Sequence, residues 1–173
     1  MKYFLIQEDK RITRRPYLIN VYEKMDVRDV CEENAYKLPH RELIFVKGGT
    51  IFTDIISDPF LLVSEKIKKV IIMYEPRTPM KELILLDRER AAAETYYLPI
   101  FQEVDCLGKR TEYNQACTVL KKIVLRHDKV RNMSIFRIAG TTGHYIIGNL
   151  DIVESILKRG CLGINLTEVE IVD

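Results

Sequence analysis

The residues with the most chemical potential are Lys10, Arg11, Arg14 and Arg15, four cations within six positions, followed by Pro16 and Tyr17. Cations at this density beside an aromatic ring can meet an acidic protein surface or the phosphates of a nucleic acid. Lys109-Arg110 is a weaker pair of the same kind. Other arrangements fall short of chemistry. Gly140, Gly143 and Gly148 do not make GxGxxG, and no GK[ST] occurs, so the glycine patterns that bring a backbone against phosphates are missing. Two apolar-to-polar junctions, Val63-Ser64-Glu65 and Gly148-Asn149-Leu150-Asp151, each carry an acid where a phosphate would bind. There is no GxSxG, and no cysteine has a nearby histidine signature. Cys31, Cys106, Cys117 and Cys161 form no CxxC pair and, like His40, His127 and His144, lack metal-ligand spacing. Glu32-Glu33 and the Glu168/Glu170 pair read as solvated acids, and His144 as an exposed residue of a hairpin tip. The expectation is reduced thiols, no catalytic residue, no metal and no cofactor.

Composition narrows the class further. A chain of 173 residues with 47% apolar and 30% charged residues suits one globular domain over 1–173 with a real core. A net charge of +2 gives no strong overall pull toward nucleic acid or membrane. No apolar run approaches the ~20 residues of a membrane span. The opening "MKYFLIQEDK" has only four apolar residues in a row, too few for a signal-peptide core. A cytoplasmic location with no membrane partner is expected.

The elements that must position these groups read as α+β, a mainly antiparallel sheet with hairpins and a few short amphipathic helices. "KYFLIQ" is a first strand, and Asp9–Pro16 a charged loop. Asp26 is placed to cap a helix through Val27–Leu38, ended by Pro39. Glu42–Ile56 reads as a hairpin about Gly48-Gly49. Phe60–Val63 is extended, and Ser64 caps a helix whose Ile67, Val70, Ile71 and Tyr74 share one face before Pro76 stops it. Lys81–Asp87 reads as a strand buried on both faces, and Arg88–Glu94 as a connection. Thr95–Leu107 reads as a strand that Pro99 confines to an edge or a bulge. Thr118–Leu125 is another strand, followed by a turn. Ser134–Gly140 and His144–Gly148 form a hairpin, and Asn149 caps a helix with Asp151 at its start, Lys158 and Arg159 at its end and Gly160 as its left-handed stop. Ile164–Val172 closes as a strand with a bulge between Leu166 and Val169. The segments around 45–86 and 135–169 both run hairpin, strand, polar cap, short helix, strand, an architectural echo.

Several stretches in this order resemble a bacterial family, the immunity proteins of polymorphic toxin systems, formerly a domain of unknown function. They are "MKYFLIQED", "FLLVSEKIKKVI", "ETYYLPIFQEVDCLGKRTEY", "IFRIAG" and "YIIGNLDIVESILKRGCLGINLTEVE". The resemblance spans nearly the whole chain; Asn149 stands where it leads one to expect serine, and both residues cap helices. It implies a non-enzymatic protein that binds and neutralises a cognate protein toxin by steric occlusion. It supplies no interface residues. From the residues themselves, Arg11, Arg14, Arg15 and Tyr17 are the candidate partner-binding anchors, with Tyr96 and Tyr97 next. The alternative is a nucleic-acid-binding accessory domain using loop 10–17; an enzyme with an unfamiliar site would need a pocket of convergent polar groups.

Overall fold

Runs of β-branched and aromatic residues supply strands, and three apolar clusters decide how those strands stack. The computed structural model describes residues 1–28 and 30–172. In chain order the elements are β1 (Tyr3–Glu8), α1 (Val21–Lys24), a 3-10 helix (Glu32–Lys37), β2 (Arg41–Phe45), β3 (Ile55–Ile56), β4 (Leu62–Val63), α2 (Glu65–Tyr74), β5 (Met80–Asp87), β6 (Ala92–Pro99), β7 (Glu103–Val104), β8 (Glu112–Tyr113), β9 (Leu120–Lys122), β10 (Val124–Arg126), α3 (His127–Val130), β11 (Ile135–Ile138), β12 (Ile146–Asn149), α4 (Leu150–Leu157) and β13 (Ile164–Val172). This is an α+β fold rich in antiparallel pairing. One sheet has the order β10-β13-β1-β12-β11-β7 and the other β2-β5-β6-β4-β3; β8 and β9 pair separately.

The two main sheets are built on one plan. Taken from β3 and from β11, the orders β3-β4-β6-β5-β2 and β11-β12-β1-β13-β10 carry the same senses: three antiparallel pairings, then a parallel one. In each, a helix joins the second strand to the fourth (α2, α4), and the third strand lies between them. The helix caps match in conformation, Ser64 at φ −69, ψ 169 and Asn149 at φ −74, ψ 170. Registers extend the match to single residues. Val63, before one cap, pairs with Tyr97, and Tyr97 pairs with Glu82. Gly148, before the other, pairs with Phe4, and Phe4 pairs with Glu168. Tyr96 therefore corresponds to Tyr3. Both tyrosines are fully buried, and each hydroxyl donates to a backbone carbonyl, of Thr53 and of Val130 respectively, so that no polar tip is left bare in the core. The architectural echo is a repeated topology in its strand, cap, helix and strand, but its first hairpin is not part of it, since β3 rather than β2 corresponds to β11. The units differ in connectivity: β6 follows β5 directly, whereas its counterpart β1 comes from the other end of the chain.

Period-two strands explain the layering. On β1, Tyr3 and Leu5 join one cluster with Phe136, Ile138 and Val169, while Phe4 and Ile6 join a second with Ile67, Ile71, Ile152 and Ile156. On β6, Tyr97 turns to that second, shared cluster, and Tyr96 and Leu98 turn to a third with Leu83, Leu85 and Ile44. Helices α2 and α4 thus pack together between the sheets; the Tyr74 hydroxyl lies 2.7 Å from Ser155 Oγ and donates to the Asp151 carbonyl at 3.0 Å. Residues 18–38 cover the outer face of one sheet, and the stretch around Cys106–Val130 that of the other. Buried Asp54 ties the units: its carboxylate accepts from Ser64 Oγ at 2.6 Å and from the Leu162 N–H at 2.6 Å. Gly163 (φ +82) passes so close that a Cβ there would lie 2.8 Å from Thr53.

The helix ends follow local rules. Asn149 Oδ1 accepts the Ile152 N–H at 3.1 Å, and Gly160 takes φ +62, as the sequence leads one to expect. Other expectations are corrected by long-range pairing. Glu42–Ile56 is not a hairpin: β2 pairs in parallel with β5, because its other edge is taken by residues 17–19. Of the helix expected over Val27–Leu38 only the 3-10 helix at Glu32–Lys37 forms, α1 lies before that range, and Asp26 binds Arg28 rather than a helix start. The Thr95–Leu107 segment is two strands; Pro99 ends β6, where the ladder from β4 has reached only Tyr97 and no N–H is required. Likewise Thr118–Leu125 is split into β9 and β10, which belong to different sheets, and the turn after it contains α3. Strand β5 alternates, with Lys81, Leu83, Leu85 and Asp87 buried and the residues between them half-buried. No bulge interrupts β13, whose register with β1 is continuous from Ile164 to Val169. Its apolar phase shifts because Leu166 faces the shared cluster and Val169 the outer one.

Ile6 fills the space before Gly148: a Cβ there would meet Ile6 Cδ1 at 2.9 Å and Ile152 Cγ2 at 3.1 Å. At the corresponding places stand Pro99 and Val63, so large and small residues are exchanged between the units. Gly148→Val is therefore expected to overpack and to cost about 1–3 kcal/mol in urea unfolding, whereas Val63→Ile, lacking an isoleucine opposite, should cost less.

Candidate functional site

Residues 9–20 are a strap laced to the edge of β2 and the turn beyond it. The Ile19 N–H donates to the Phe45 carbonyl (2.9 Å), the Lys47 N–H to Tyr17 (3.1 Å) and the Ile51 N–H to Arg14 (2.7 Å). The facing turn, Lys47–Thr50, is held from below by buried Asp87 at the end of β5, whose carboxylate accepts the N–H groups of Thr50 (3.1 Å), Glu89 (3.0 Å) and Arg90 (3.2 Å). Burial alone would raise the pKa of Asp87, but these backbone donors outweigh it and hold the carboxyl below its ordinary value. Gly49 (φ +74) lets the turn close, and Arg14 lies across it, Nε donating to the Gly49 carbonyl at 2.9 Å.

Strap and turn enclose a cavity of about 370 Å³ lined by Arg14, Arg15, Tyr17, Lys47, Thr50 and Asp58, among others. A second cavity, about 330 Å³, is lined by Leu18, Val21, Tyr22, Glu23 and Pro59 and shares Tyr17 and Asp58 with the first. Tyr17 is 64% exposed on the ridge between them. Tyr22 is held by an edge contact to Phe60 and by the Arg28 guanidinium 5.4 Å from its ring centre.

The six candidate anchors divide. Arg14, Arg15 and Tyr17 converge on the first cavity. Arg11 is 87% exposed and forked onto Asp9 at 2.8–3.1 Å, which lowers the Asp9 pKa through that side-chain hydrogen bond. Arg15 donates from Nε to Glu8 at 2.9 Å; Glu8 is 3% exposed and also accepts the Ser57 N–H. Tyr96 is closed to any partner, only 2% exposed. Tyr97 is half-buried under the Lys68 ammonium, 3.8 Å from its ring centre, beside His40, Arg41 and Glu82. Lys47, Thr50 and Asp58 carry no site signal in the sequence, where Lys47-Gly48-Gly49 reads only as a turn and Ser57-Asp58-Pro59 only as a break between strands. His144 is not exposed: it packs edge-on to Phe60 beside Arg137, and burial first, then the Arg137 charge, lowers its pKa to about 4. Among the described residues no group of His, Cys, Asp and Glu has metal-site geometry, and no helix is long and apolar enough to cross a membrane.

No protein-family model matches the chain, and no curated protein is similar to it.

The arginines should separate in stability. Arg15→Ala strands buried Glu8 and is expected to cost about 1–3 kcal/mol in urea unfolding, whereas Arg11→Ala should stay within about 0.5 kcal/mol. His144 makes acid destabilising. Its folded pKa lies below the unfolded one, so the unfolded chain takes up the proton first and stability falls as pH drops from about 6.5 to about 4. The limiting slope is about 1.4 kcal/mol per pH unit; His144→Phe should remove that component from the pH dependence of the urea midpoint, and an unchanged profile would contradict the assignment.

Proposed function

We propose that this protein is an immunity factor that binds a cognate protein toxin in the cytoplasm of the bacterium producing it and blocks the toxin by steric occlusion. The observation that carries the reading is the paired cavity on the strap, an arginine- and tyrosine-lined concavity with Tyr17 raised at its centre. Arginine and tyrosine are the residues that most often anchor tight interfaces, in settings that exclude water. The order of the scaffold motifs, which resembles the immunity family from "MKYFLIQED" to "GINLTEVE", supports the same reading. Occlusion requires a rigid surface, and backbone hydrogen bonds from the strap to residues 45–51 provide one. The role is binding rather than catalysis.

The nucleic-acid alternative is disfavoured by charge. Asp9 and Glu8 already neutralise Arg11 and Arg15, which leaves too few cations for a phosphate track whose affinity scales with the number of contacts.

Co-expression with the product of the neighbouring gene, which this reading expects to carry a toxin domain, is the direct test. A stable complex and rescue of growth are expected; cells that survive the toxin equally well without this protein end the proposal. Arg14→Ala with Tyr17→Ala should weaken the complex at least tenfold, about 1.4 kcal/mol or more, read by calorimetry.

A further inference from the structure

We propose that the cavity between the strap and the Lys47–Thr50 turn receives a carboxylate side chain from an acidic segment of the partner protein, with the next apolar residue of that segment lying on Tyr17 and Tyr22. This rests on the toxin-binding reading and names what the toxin presents.

Charge selects the ligand class. The first cavity is lined by three cations, Arg14, Arg15 and Lys47, and one acid, Asp58. Arg15 is engaged by Glu8. Lys47 is exposed, and among the described residues no carboxylate lies within ion-pair distance of it. Arg14 is also exposed, and among the described residues no acid pairs with it; its guanidinium is fixed by the Gly49 carbonyl through Nε, and Nη2 would lie 3.2 Å from a Cβ at Gly49. A side chain at Gly49 would crowd the guanidinium. A guanidinium already held in place gives up little rotamer freedom on binding and presents its remaining N–H groups as a fork matched to a carboxylate.

Orientation follows from the second cavity. Glu23, an acid that lines only this cavity, repels a carboxylate (Asp58 lines both), while Tyr17, Tyr22, Leu18 and Pro59 offer apolar surface. A bound segment would therefore place its acid at the Arg14–Lys47 end and its apolar side chain at the Tyr22 end. The first volume, about 370 Å³, falls within the ~300–1,000 Å³ span of ligand clefts.

The test is a backbone-amide NMR titration of the full chain with the blocked peptide Gly-Asp-Glu-Phe-Leu-Gly and its neutral counterpart Gly-Asn-Gln-Phe-Leu-Gly. Shifts centred on Arg14–Tyr17 and Lys47–Thr50 are expected, with at least tenfold tighter binding of the acidic peptide. Arg14→Ala with Lys47→Ala, two exposed positions, should erase that preference with an unchanged thermal midpoint. Equal affinity for the two peptides, or shifts confined to other surfaces, would overturn the proposal. So would displacement of the peptide by inorganic phosphate at equal concentration, or tighter binding of an oligothymidylate, since either assigns the cations to phosphate. The parent reading fails separately. A toxin complex indifferent to the Arg14/Lys47 double variant sinks this inference alone. A wild-type chain that seats the acidic peptide but binds no toxin sinks the immunity reading alone.

Discussion

The structure depends on the insertion of β1 between β12 and β13. Strands β12 and β13 are parallel, and the chain links them only through α4. Without a strand between them their facing N–H and C=O groups would be unpaired, a cost no core tolerates. β1 satisfies both edges, pairing from Tyr3 to Ile6 with β12 and from Tyr3 to Glu8 with β13. Its alternating side chains also divide two of the three apolar clusters, Phe4 and Ile6 to one side and Tyr3 and Leu5 to the other. Glu8, at its end, is the buried carboxylate that fixes Arg15 in the strap. The central strand of one sheet is thereby the first support of the candidate binding surface.

The same arrangement around β6 makes the protein a repeat of one topology. In both units a tyrosine on the middle strand sends its hydroxyl to a carbonyl in the covering segment or the adjoining loop, and in both a helix crosses from second to fourth strand. The units share the cluster between α2 and α4 and are stitched by Asp54. Where they differ, the difference is local and compensated: Val63 with Pro99 in one, Gly148 with Ile6 in the other. Both parallel edge strands are also closed in one way. Residues 17–19 bond across Phe45–Lys47, and Cys106–Gly108 bond across Val124–Arg126, which leaves neither β2 nor β10 a fully open edge. The strap over β2 carries arginines and a tyrosine; the one over β10 carries buried Cys106. The first forms a concave, charged surface.

How much was legible in the sequence differs by element. The capped helices α2 and α4, the first strand and the β11–β12 hairpin could be read directly, since each is specified by residues within one short window. Ser64 and Asn149 show the limit of that reading: both sit at the cap, yet Ser64 spends its hydroxyl on Asp54, ten residues earlier, and Asn149 alone caps through its side chain. Gly48-Gly49 does not reveal its topology, because tight-turn chemistry is the same whether the next strand returns beside the first or travels on to pair elsewhere. The apolar phase shift in β13 reads as a bulge because a strand with a core on each face breaks alternation without breaking register. Of the candidate site, the cationic loop and Tyr17 were visible; the facing wall of Lys47, Thr50 and Asp58 was not.

The sequence by itself determined the α+β class, the ends and buried stripes of α2 and α4, and the absence of a glycine-rich phosphate turn. Those features rest on backbone hydrogen bonds and on periodicities of two and 3.6, which neighbouring residues satisfy among themselves. Only the tertiary structure decided that Tyr96 belongs to the core, that the strap lies against a turn more than thirty residues away, and which of the adjacent arginines keeps its charge available. Exposure and neutralisation depend on which surfaces fold together. Arg14 and Arg15 are neighbours of identical chemistry, and a buried glutamate on β1 claims one of them.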